Sequence, residues 1–420
     1  MRSDLVIRNG LVLTPDGAQE ADVAISGGVI VGLGRGFDGT EDLDAAGAWV
    51  GPGLVDLHAH FREPGQEWKE DIGSGSEAAA AGGYTAVVVM PNTEPATDSG
   101  HIARLIRERG RQTGLCDVVP AGAITMARKG EMLSHLDELW EAGVRLFSDD
   151  GDSVGNSGLL RMAMEYLAER QAVVAQHAED RHLSLDGQMH EGSLSSRLGM
   201  KGIPIEAEEV VVARDLALAR LTGCRYHAQH LSGVRSVGLV SAAKAAGLAV
   251  TAEVTAHHLA FDDSAVAVLD PAFKMYPPLR SADDREGLRA ALESGLIDAV
   301  ATDHAPHSAF ETEVTFEEAP RGVIGLETSA AAVMTYCHLD LVSFFDRLSL
   351  APARIAQLDR HGRPLAVGEP ANLVIFSPDE QWTVTNFRSK SHNSPFRSHT
   401  LTGRVRATVF EGRLTHALVS

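Results

Sequence analysis

The chain is short of cysteine and of positive charge, and each shortage excludes a class of protein. Its three cysteines, Cys116, Cys224 and Cys337, lie far apart among 420 residues and form no Cys-x-x-Cys pair. This usage is typical of reduced, buried thiols, so we expect a cytoplasmic protein. The 57 acidic residues outnumber the 37 lysines and arginines, and the formal net charge is −20. Such a charge argues against a nucleic-acid or anionic-membrane partner, because both need a basic surface.

Long hydrophobic runs and a signal-peptide pattern are also missing. No apolar run approaches the length of a membrane span, and the first seven residues enter a strand pattern directly. The apolar content of 44% and the charged content of 22% are those of a soluble globular protein. An anionic small molecule is still compatible with this composition, provided that its binding site contains local cations.

Short apolar runs alternate with helical segments through most of the chain. Eight strand-like runs span residues 54–58, 85–90, 117–121, 144–148, 173–177, 225–230, 248–254 and 298–303. Helical patterns follow most of them, at 70–81, 100–109, 131–142, 206–221 and 283–294. Alternating units of this kind predict an α/β fold with a parallel sheet, and eight of them predict a closed (β/α)8 TIM-like barrel. An open doubly wound sheet is the alternative; no Gly-rich dinucleotide fingerprint follows the first strand to favour it.

Both ends of the chain have β character. Gly27-Gly28 lies between apolar arms and predicts a hairpin, and Asn9-Gly10 is a further turn candidate. Near the other end, Glu411-Gly412 separates two strand patterns in the same way. We expect residues 1–51 and 365–420 to form one small β-sandwich domain, beside a catalytic barrel of residues 52–364.

The first barrel strand ends in a possible metal-binding pair. His58 and His60 are two residues apart, and residues i and i+2 of a strand point to the same face. Two imidazoles can therefore be directed at one point, which suits a metal ion. Arg62 continues this parity, and its guanidinium could bind a carboxylate. A pair of polar residues that leave a buried strand is the alternative interpretation of the His-x-His pattern alone.

Four other strands also end in histidine or aspartate, at the edge where barrel enzymes have their active sites. These residues are Asp149 and Asp150 after the fourth strand, His177 after the fifth, His230 after the sixth and Asp303 after the eighth. A cage of imidazoles and carboxylates suits zinc or a similar divalent metal. Four histidines and two aspartates suffice for two ions about 3.5–4 Å apart. Strand parity does not choose between Asp149 and Asp150.

Together these motifs resemble the dihydroorotases of the longer bacterial kind, within the amidohydrolase superfamily. The resemblance covers essentially the whole chain, and its motifs lie at residues 56–65, 90–93, 147–151, 253–258, 277–280, 302–307, 394–396 and 401–403. It implies a metal-dependent enzyme of pyrimidine biosynthesis that reversibly cyclises N-carbamoyl-L-aspartate to L-dihydroorotate.

The resemblance also implies roles for individual residues. His58, His60 and Asp303 would hold one metal, and His177 and His230 a second, with Asp150 between them. The cofactor would be one or two Zn²⁺ ions, although other divalent metals fit the same ligands. Asp303 would act as the catalytic base and then as the acid. Substrate-binding roles would fall to His60, Arg62, Asn92, Tyr276, His307, Arg321 and Gly322.

Three positions distinguish this chain within the pattern. No lysine stands at the end of the fourth strand, where many relatives have a carboxylated lysine between the two metals. The family usually has asparagine where this chain has Tyr276, and an aromatic residue where it has Arg321. Tyr276 can donate one hydrogen bond but cannot make the two-sided contact of an amide. The differences at Tyr276 and Arg321 affect the substrate assignment more than the metal assignment.

Two rival functions follow from the same motifs. One is another cyclic amidohydrolase, such as a dihydropyrimidinase (hydantoinase) or an allantoinase, but these normally keep the bridging lysine. The other is a non-catalytic dihydroorotase-like subunit of aspartate transcarbamoylase, which would have lost metal ligands. We expect a small anionic substrate and a homodimer, with aspartate transcarbamoylase as a candidate partner.

For several residues outside the ligand set we expect structural roles. We expect Glu67, Glu70 and Asp71 to form a solvated helix start, and His304 to be a structural residue that points away from Asp303. The acidic segment 307–322 would cover the barrel mouth, since loops of this length over an active site often act as lids.

Overall fold

The computed structural model describes residues 2–418, which form a barrel and a sheet built from both chain ends. The strands are β1 (Ser3–Thr14), β2 (Gly17–Ser26), β3 (Val29–Gly34), β4 (Gly39–Asp44), β5 (Trp49–Pro52), β6 (Leu54–Ala59), β7 (Tyr84–Val89), β8 (Asp117–Pro120), β9 (Leu146–Phe147), β10 (Val173–Gln176), β11 (Met189–His190), β12 (Gly202–Ile203), β13 (Arg225–Ala228), β14 (Val250–Thr255), β15 (Ala299–Ala301), β16 (Leu373–Thr383), β17 (Thr400–Phe410) and β18 (Arg413–Ala417).

The α-helices alternate with the barrel strands or follow them. They are α1 (Ile72–Ala81), α2 (Gly100–Thr113), α3 (Leu136–Glu141), α4 (Ser157–Ala168), α5 (Arg181–Ser184), α6 (Ser193–Leu198), α7 (Glu206–Thr222), α8 (Val234–Ala245), α9 (Ala256–Ala260), α10 (Ala282–Ser294), α11 (Ala309–Thr312), α12 (Ser329–Tyr336), α13 (Leu341–Phe345) and α14 (Ala351–Ala356). Within residues 2–418, none of the helices combines the length and the apolar character needed to cross a membrane.

Eight parallel strands close into the barrel that the sequence predicts. One ladder runs through β6, β7 and β8, and the other through β9, β10, β13, β14 and β15. Parallel bridges between Gly122 and Phe147 and between Ala59 and His304 join the two ladders at both edges. The strand ends carrying the candidate ligands therefore meet around one ring.

The barrel strands are apolar on both faces because each face is covered. Every residue of β6 and β7 is buried. Val88 packs inside the barrel with Leu57 and Val119, whereas Val87 and Val89 pack outward against the layer of helices. Burial on both faces explains why these strands read as continuous apolar runs instead of alternating ones.

Both ends of the chain contribute to a single sheet of eight strands. Its order is β18-β17-β16-β5-β1-β2-β3, with β4 paired to β1, and β5 joins the two ends by antiparallel pairing with β16. Ile7 and Val23 share a buried cluster with Ile375 and Val409, so the sheet folds over a common core. The two layers expected of a sandwich thus belong to one continuous sheet.

The predicted turns had different outcomes. Gly27-Gly28 connects β2 to β3 and Glu411-Gly412 connects β17 to β18, and all four residues have positive φ. The turn predicted at Asn9-Gly10 is wrong. These residues lie within β1, where the register against β2 shifts and Asn9 has a φ of +56°. The pair forms a β-bulge, which uses the same left-handed conformation as a tight turn.

We expect Gly51→Ala to destabilise the protein by about 2 kcal/mol, because overpacking a filled core costs energy. A Cβ at Gly51 in β5 would lie 2.3 Å from the buried ring of Phe345. Gly238→Ala in α8 is the matched control, since a Cβ there meets no atom within 4 Å and alanine is the better helix former. Thermal unfolding should show a lower midpoint for the first variant and an equal or higher one for the second.

Candidate active site and metal centre

A cavity of about 140 Å³ opens at the carboxyl ends of the barrel strands. Its lining residues are His60, Arg62, Asn92, Asp150, Gly151, His177, His230, Tyr276, Asp303, Ala305, His307, Arg321 and Gly322. These include every residue that the sequence predicts for the site except His58, which is fully buried and faces the same carboxylates from below. Residues from eight separated segments of the chain therefore meet in one place.

The carboxylate of Asp150 lies between two pairs of histidines. Its Oδ2 is 3.2 Å from His58 Nε2 and 3.5 Å from His60 Nε2. Its Oδ1 is 3.3 Å from His230 Nε2 and 3.8 Å from His177 Nδ1. Each oxygen thus faces one pair, which is the arrangement that a shared ligand of two metal positions requires.

Asp149, the alternative that strand parity left open, faces away from this centre. Its carboxylate accepts hydrogen bonds from the backbone N–H groups of Ile124, at 2.8 Å, and Thr125, at 3.0 Å. It also accepts the hydroxyl hydrogen of Thr125. Asp149 therefore fixes the loop after β8 and contributes no ligand atom to the histidine cluster.

Asp303 completes the first pair of histidines from the opposite side. Its Oδ1 lies 3.1 Å from His60 Nε2 and 3.6 Å from His58 Nε2. Asp303 has a φ of +45°, and two other residues of the cavity, His230 and Arg62, have φ values of +30° and +60°. Non-glycine residues rarely adopt this conformation, and such strain concentrates at functional sites.

Neighbouring acceptors determine which nitrogen of His58 and His60 carries a proton. His58 Nδ1 is 3.1 Å from Glu253 Oε1, and His60 Nδ1 is 2.8 Å from Asn92 Oδ1. Because both oxygens are acceptors, each Nδ1 can donate to its neighbour, and each Nε2 faces Asp150. This leaves His58 Nε2 buried and without a hydrogen-bond donor or acceptor partner. A carboxylate or amide behind a histidine is a usual support for a metal ligand.

His177 and His230 form the second half of the cluster. His177 Nδ1 and His230 Nε2 are 3.0 Å apart, and His177 Nε2 faces Glu179 Oε2 at 3.7 Å. In residues 2–418, two groups of buried donor atoms within 4.8 Å of one another share Asp150: His58 and His60 with Asp150, and His177 and His230 with Asp150. Imidazole nitrogens and carboxylate oxygens that converge in this way fit a divalent cation, so this is a metal-binding cluster.

The histidines of the cluster keep its carboxylates ionised. Burial alone would raise the pKa of Asp150, but His58 and His230 outweigh it and hold the pKa well below its usual value. Burial is likewise outweighed at Asp303, whose pKa is lowered by His60 and His58. Hydrogen bonds with His227 and His58 lower the pKa of Glu253 to about 2 against the effect of burial. Three ionised carboxylates therefore lie against the imidazoles of a buried site.

The opposite side of the cavity provides groups suited to an anion. Burial lowers the pKa of Arg62 to about 10, so its guanidinium stays protonated at neutral pH. Its Nε donates to the carbonyl oxygen of Pro306 at 3.3 Å. Asn92 uses its Oδ1 for His60, which leaves its amide N–H groups available to a ligand. The two residues together can hold a carboxylate.

The sequence analysis missed Asn393, which connects the two loops that form the cavity rim. Its Oδ1 accepts the backbone N–H of His307 at 3.2 Å, and its Nδ2 donates to the carbonyl oxygens of Ala305, at 3.1 Å, and Gly322, at 2.9 Å. All three partners belong to loops that line the cavity. The motif at 394–396 was the available signal, but nothing in it indicated a contact with the barrel.

The interpretation of Glu70 as a solvated residue is wrong. Its side chain is fully buried, and its Oε2 lies 3.2 Å from His304 Nε2 and accepts the hydroxyl hydrogen of Ser389. The backbone N–H of Lys390 donates to the other carboxylate oxygen of Glu70, Oε1, at 3.2 Å. Glu70 therefore ties His304, the neighbour of Asp303, to the C-terminal part of the chain. In the sequence Glu70 is close to the polar residues Glu67 and Asp71, so nothing in the local pattern distinguishes it as a buried residue.

The segment over the barrel mouth is anchored by one buried lysine. Lys274 Nζ donates to the carbonyl oxygens of Phe316, at 2.6 Å, and Ala319, at 2.7 Å. His307 Nε2 and the carbonyl oxygen of Arg321 are 2.9 Å apart, which joins the two ends of the segment. Its role as a cover of the site stays a prediction.

Comparisons with known proteins agree with this geometry. The family model described as Dihydro-orotase-like matches residues 47–236. The chain is 45% identical to the dihydroorotase of Mycobacterium leprae (strain TN), over 98% of both chains. It is 43% identical to the dihydroorotase of Pelobacter propionicus, over 98% of this chain and 99% of the relative.

Solved structures share the whole fold. The L-hydantoinase (dihydropyrimidinase) of Arthrobacter aurescens is 26% identical, with a TM-score of 0.87 over 100% of this chain and 98% of that chain. The D-hydantoinase of a Bacillus sp. AR9 is 25% identical, with a TM-score of 0.84 over 99% and 95% of the two chains. These similarities include the barrel and the sheet of chain-end strands.

We expect Asn393→Ala to loosen the cavity rim, because it leaves two carbonyl oxygens and one N–H group without their partner. Hydrogen exchange measured by mass spectrometry should accelerate in residues 305–307 and 322–324 and stay unchanged in β1 and β2. Asn386→Ala is the matched control, since Asn386 is an exposed asparagine of the same segment. Unchanged exchange at the rim in the Asn393 variant would contradict the proposed connection.

Proposed function

The chain belongs to the dihydroorotase family, and from this premise we propose that it catalyses the reversible cyclisation of N-carbamoyl-L-aspartate to L-dihydroorotate in pyrimidine biosynthesis. It is a cyclic amide hydrolase, and the relatives that it matches over nearly its whole length are dihydroorotases. The observation that supports the proposal best is the position of Asp150 between two histidine pairs, in a cavity that also contains Asp303 and Arg62.

The metal that we propose is zinc, in one or two positions. His58, His60 and Asp303 would hold the first ion, His177 and His230 the second, and Asp150 would be shared. When bound, zinc lowers the pKa of a coordinated water toward neutrality and polarises a carbonyl group. The nitrogen and oxygen donors also fit manganese or cobalt, so elemental analysis of the purified protein is needed to identify the metal.

Asp303 is the proton carrier in this proposal. In ring opening, a water oxygen bonds to the C4 carbonyl carbon of dihydroorotate, and the bond from C4 to the ring nitrogen breaks. Asp303 accepts the proton that the water loses and donates it to the departing nitrogen, so it serves as base and then as acid. Its low pKa favours the ionised form that must accept the first proton. Ring closure follows the same steps in reverse.

Arg62 and Asn92 would orient the substrate by its carboxylate, and His307 would hold the rim. The guanidinium of Arg62 and the amide N–H groups of Asn92 are both donors, which suits a carboxylate. Burial, aided by the nearby charge of Arg62, lowers the pKa of His307 to about 3, so this side chain is neutral at physiological pH. The N–H of His307 faces the carbonyl oxygen of Arg321, and the ring therefore fixes the loop instead of supplying a positive charge.

The rival cyclic amidohydrolases are tested by the same assay. Purified protein should open L-dihydroorotate and leave dihydrouracil, hydantoin and allantoin essentially unreacted, because those rings lack the carboxylate that Arg62 would bind. Preferential turnover of a neutral ring would contradict the proposal, and absence of turnover on all four substrates would favour a non-catalytic subunit. The homodimer, the cytoplasmic location and an association with aspartate transcarbamoylase stay predictions.

We expect Asp303→Asn to lower turnover of L-dihydroorotate by about a thousandfold or more, because the amide cannot take the proton from water. The metal content should stay close to wild type, since the other five ligands are unchanged. Asp137→Asn, an exposed position on α3, is the control. Near-normal turnover in the Asp303 variant would rule out its role as proton carrier.

We expect Glu253→Gln to weaken metal affinity by about 10- to 100-fold, because the residue behind a metal ligand fixes the orientation and proton of the imidazole. Metal content after dialysis against a chelator series measures this directly, without reference to activity. Glu165→Gln on the exposed face of α4 is the control. Equal metal retention in both variants would show that Glu253 does not support His58.

A further inference from the structure

The loop after β9, which carries Asp150, is held by an arginine from the loop after β8. Arg128 Nη1 donates to the carbonyl oxygen of Asp150 at 2.9 Å and faces that of Asp149 at 3.3 Å. The same nitrogen forms an ion pair with Asp152 Oδ2 at 3.2 Å. One guanidinium therefore contacts the shared ligand of the metal-binding cluster and a residue on each side of it.

The side chain of Asp149 makes the opposite connection. Its carboxylate binds the backbone of Ile124 and Thr125, so the two loops are tied together in both directions. Thr125 Oγ1 also accepts the backbone N–H of Gly130 at 2.9 Å. Residues 124–130 and 149–152 thus form one connected unit, and Asp150 is the member of this unit that reaches the two histidine pairs.

The turn that directs Arg128 toward this loop has a strained backbone. Ala127 and Arg128 have φ values of +49° and +57°, a conformation that non-glycine residues rarely adopt, and here it occurs at two residues in a row. The backbone N–H of Ala127 donates to Asp98 Oδ2 at 2.9 Å, which helps to hold the turn. Strain of this kind concentrates at functional sites, so the turn has a role beyond connecting β8 to α3.

The position of the Asp150 backbone matters because its side chain is short. The carboxyl carbon of an aspartate is two bonds from Cα, so its oxygens follow any movement of the backbone. The two oxygens of Asp150 lie 3.2–3.8 Å from nitrogens of four histidines, one pair to each oxygen. A shift of the loop would lengthen the distances to one of these pairs. Ligand positions at such sites must hold to within about 0.5 Å.

We propose that Arg128 is a positioning residue of the metal-binding cluster, which holds Asp150 where both histidine pairs can share it with a metal ion. Arg128 lies outside the cavity lining and acts through the backbone of Asp150. The inference rests on the metal-dependent function proposed above and deepens it, because it names a residue that sets the metal affinity of the same site.

Zinc affinity of the metal-free protein, measured in competition with a chromophoric chelator, tests this role. Arg128→Met keeps the alkyl stem, removes the donors and should weaken zinc binding about tenfold. Both ligand groups of the cluster include Asp150, so this effect is expected whether one ion binds or two.

Arg181→Met is the matched control for the loss of charge. Arg181 also forms an ion pair with Asp152, but its side chain is 64% exposed. Zinc affinity of this variant should stay within about twofold of wild type, because exposed ion pairs contribute little. Equal weakening in the Arg128 and Arg181 variants would overturn the proposal, as would wild-type affinity in Arg128→Met.

A second substitution at the same position separates metal binding from stability. Glycine adopts the left-handed conformation readily, so metal-free Arg128→Gly should unfold at a higher temperature than Arg128→Met. Its zinc affinity should nevertheless be as weak, because the guanidinium is absent from both variants. A merely structural role predicts the reverse, since zinc affinity would then recover together with stability in the glycine variant.

Hydrogen exchange of the metal-free protein tests the link to the loop directly. The backbone N–H of Asp152 donates to the carbonyl oxygen of Asp149 at 2.9 Å, so exchange in residues 150–153 reports the order of this loop. Exchange there should be faster in Arg128→Met than in wild type and should stay unchanged in β1 and β2. Unchanged exchange in residues 150–153 would contradict the proposed role.

The inference and the proposed function fail in different ways, because zinc affinity is measured without substrate. If Arg128→Met binds zinc more weakly but the wild type does not open dihydroorotate, the inference holds and the proposed function is wrong. If the wild type is active and Arg128→Met binds zinc as tightly as it does, the function stands and the inference is wrong. A wild-type protein that binds neither zinc, manganese nor cobalt would overturn both.

Discussion

The structure depends on the convergence of buried carboxylates and imidazoles at the carboxyl ends of the barrel strands. Carboxylate oxygens of Asp150 and Asp303 lie 3.1–3.8 Å from ring nitrogens of four histidines in a buried site. Burying ionised groups is costly unless they are paired with an opposite charge or bind a metal ion. The barrel supplies the rigidity for this, because its strands are buried on both faces and closed by bridges at both edges. Metal binding is therefore linked to the stability of the strand ends.

A shell of supporting residues gives each ligand one orientation. Glu253 and Asn92 orient the rings of His58 and His60, and a carboxylate oxygen of Glu179 faces His177 at 3.7 Å. Neighbouring backbone is fixed as well, since Thr302 donates both its N–H and its hydroxyl hydrogen to Asp56, and His304 is held by Glu70. Asp303 lies between these two anchored residues, which explains how its positive φ is maintained.

Local pattern predicted the barrel and the ligands, and it failed where contacts join distant parts of the chain. Apolar runs marked the eight strands because burial on both faces leaves no room for polar residues. His58 and His60 were identified by strand parity and Asp303 by its place after a strand. Glu70 and Asn393 could not be found this way, because the partners described for each lie at least 71 residues away along the chain. Asn9-Gly10 shows a different limit, since a bulge and a turn need the same backbone conformation.

The pairing of β5 with β16 has a consequence for how the protein is made. During synthesis the first five strands leave the ribosome early, whereas β16 emerges only after the entire barrel. Until then β5 presents an open edge, which is a template for pairing with other nascent chains. Asn393 arrives later still, so the rim of the cavity takes its final form near the end of translation. The active-site rim of a newly made chain is therefore completed last. Truncated chains should be inactive and prone to associate with one another.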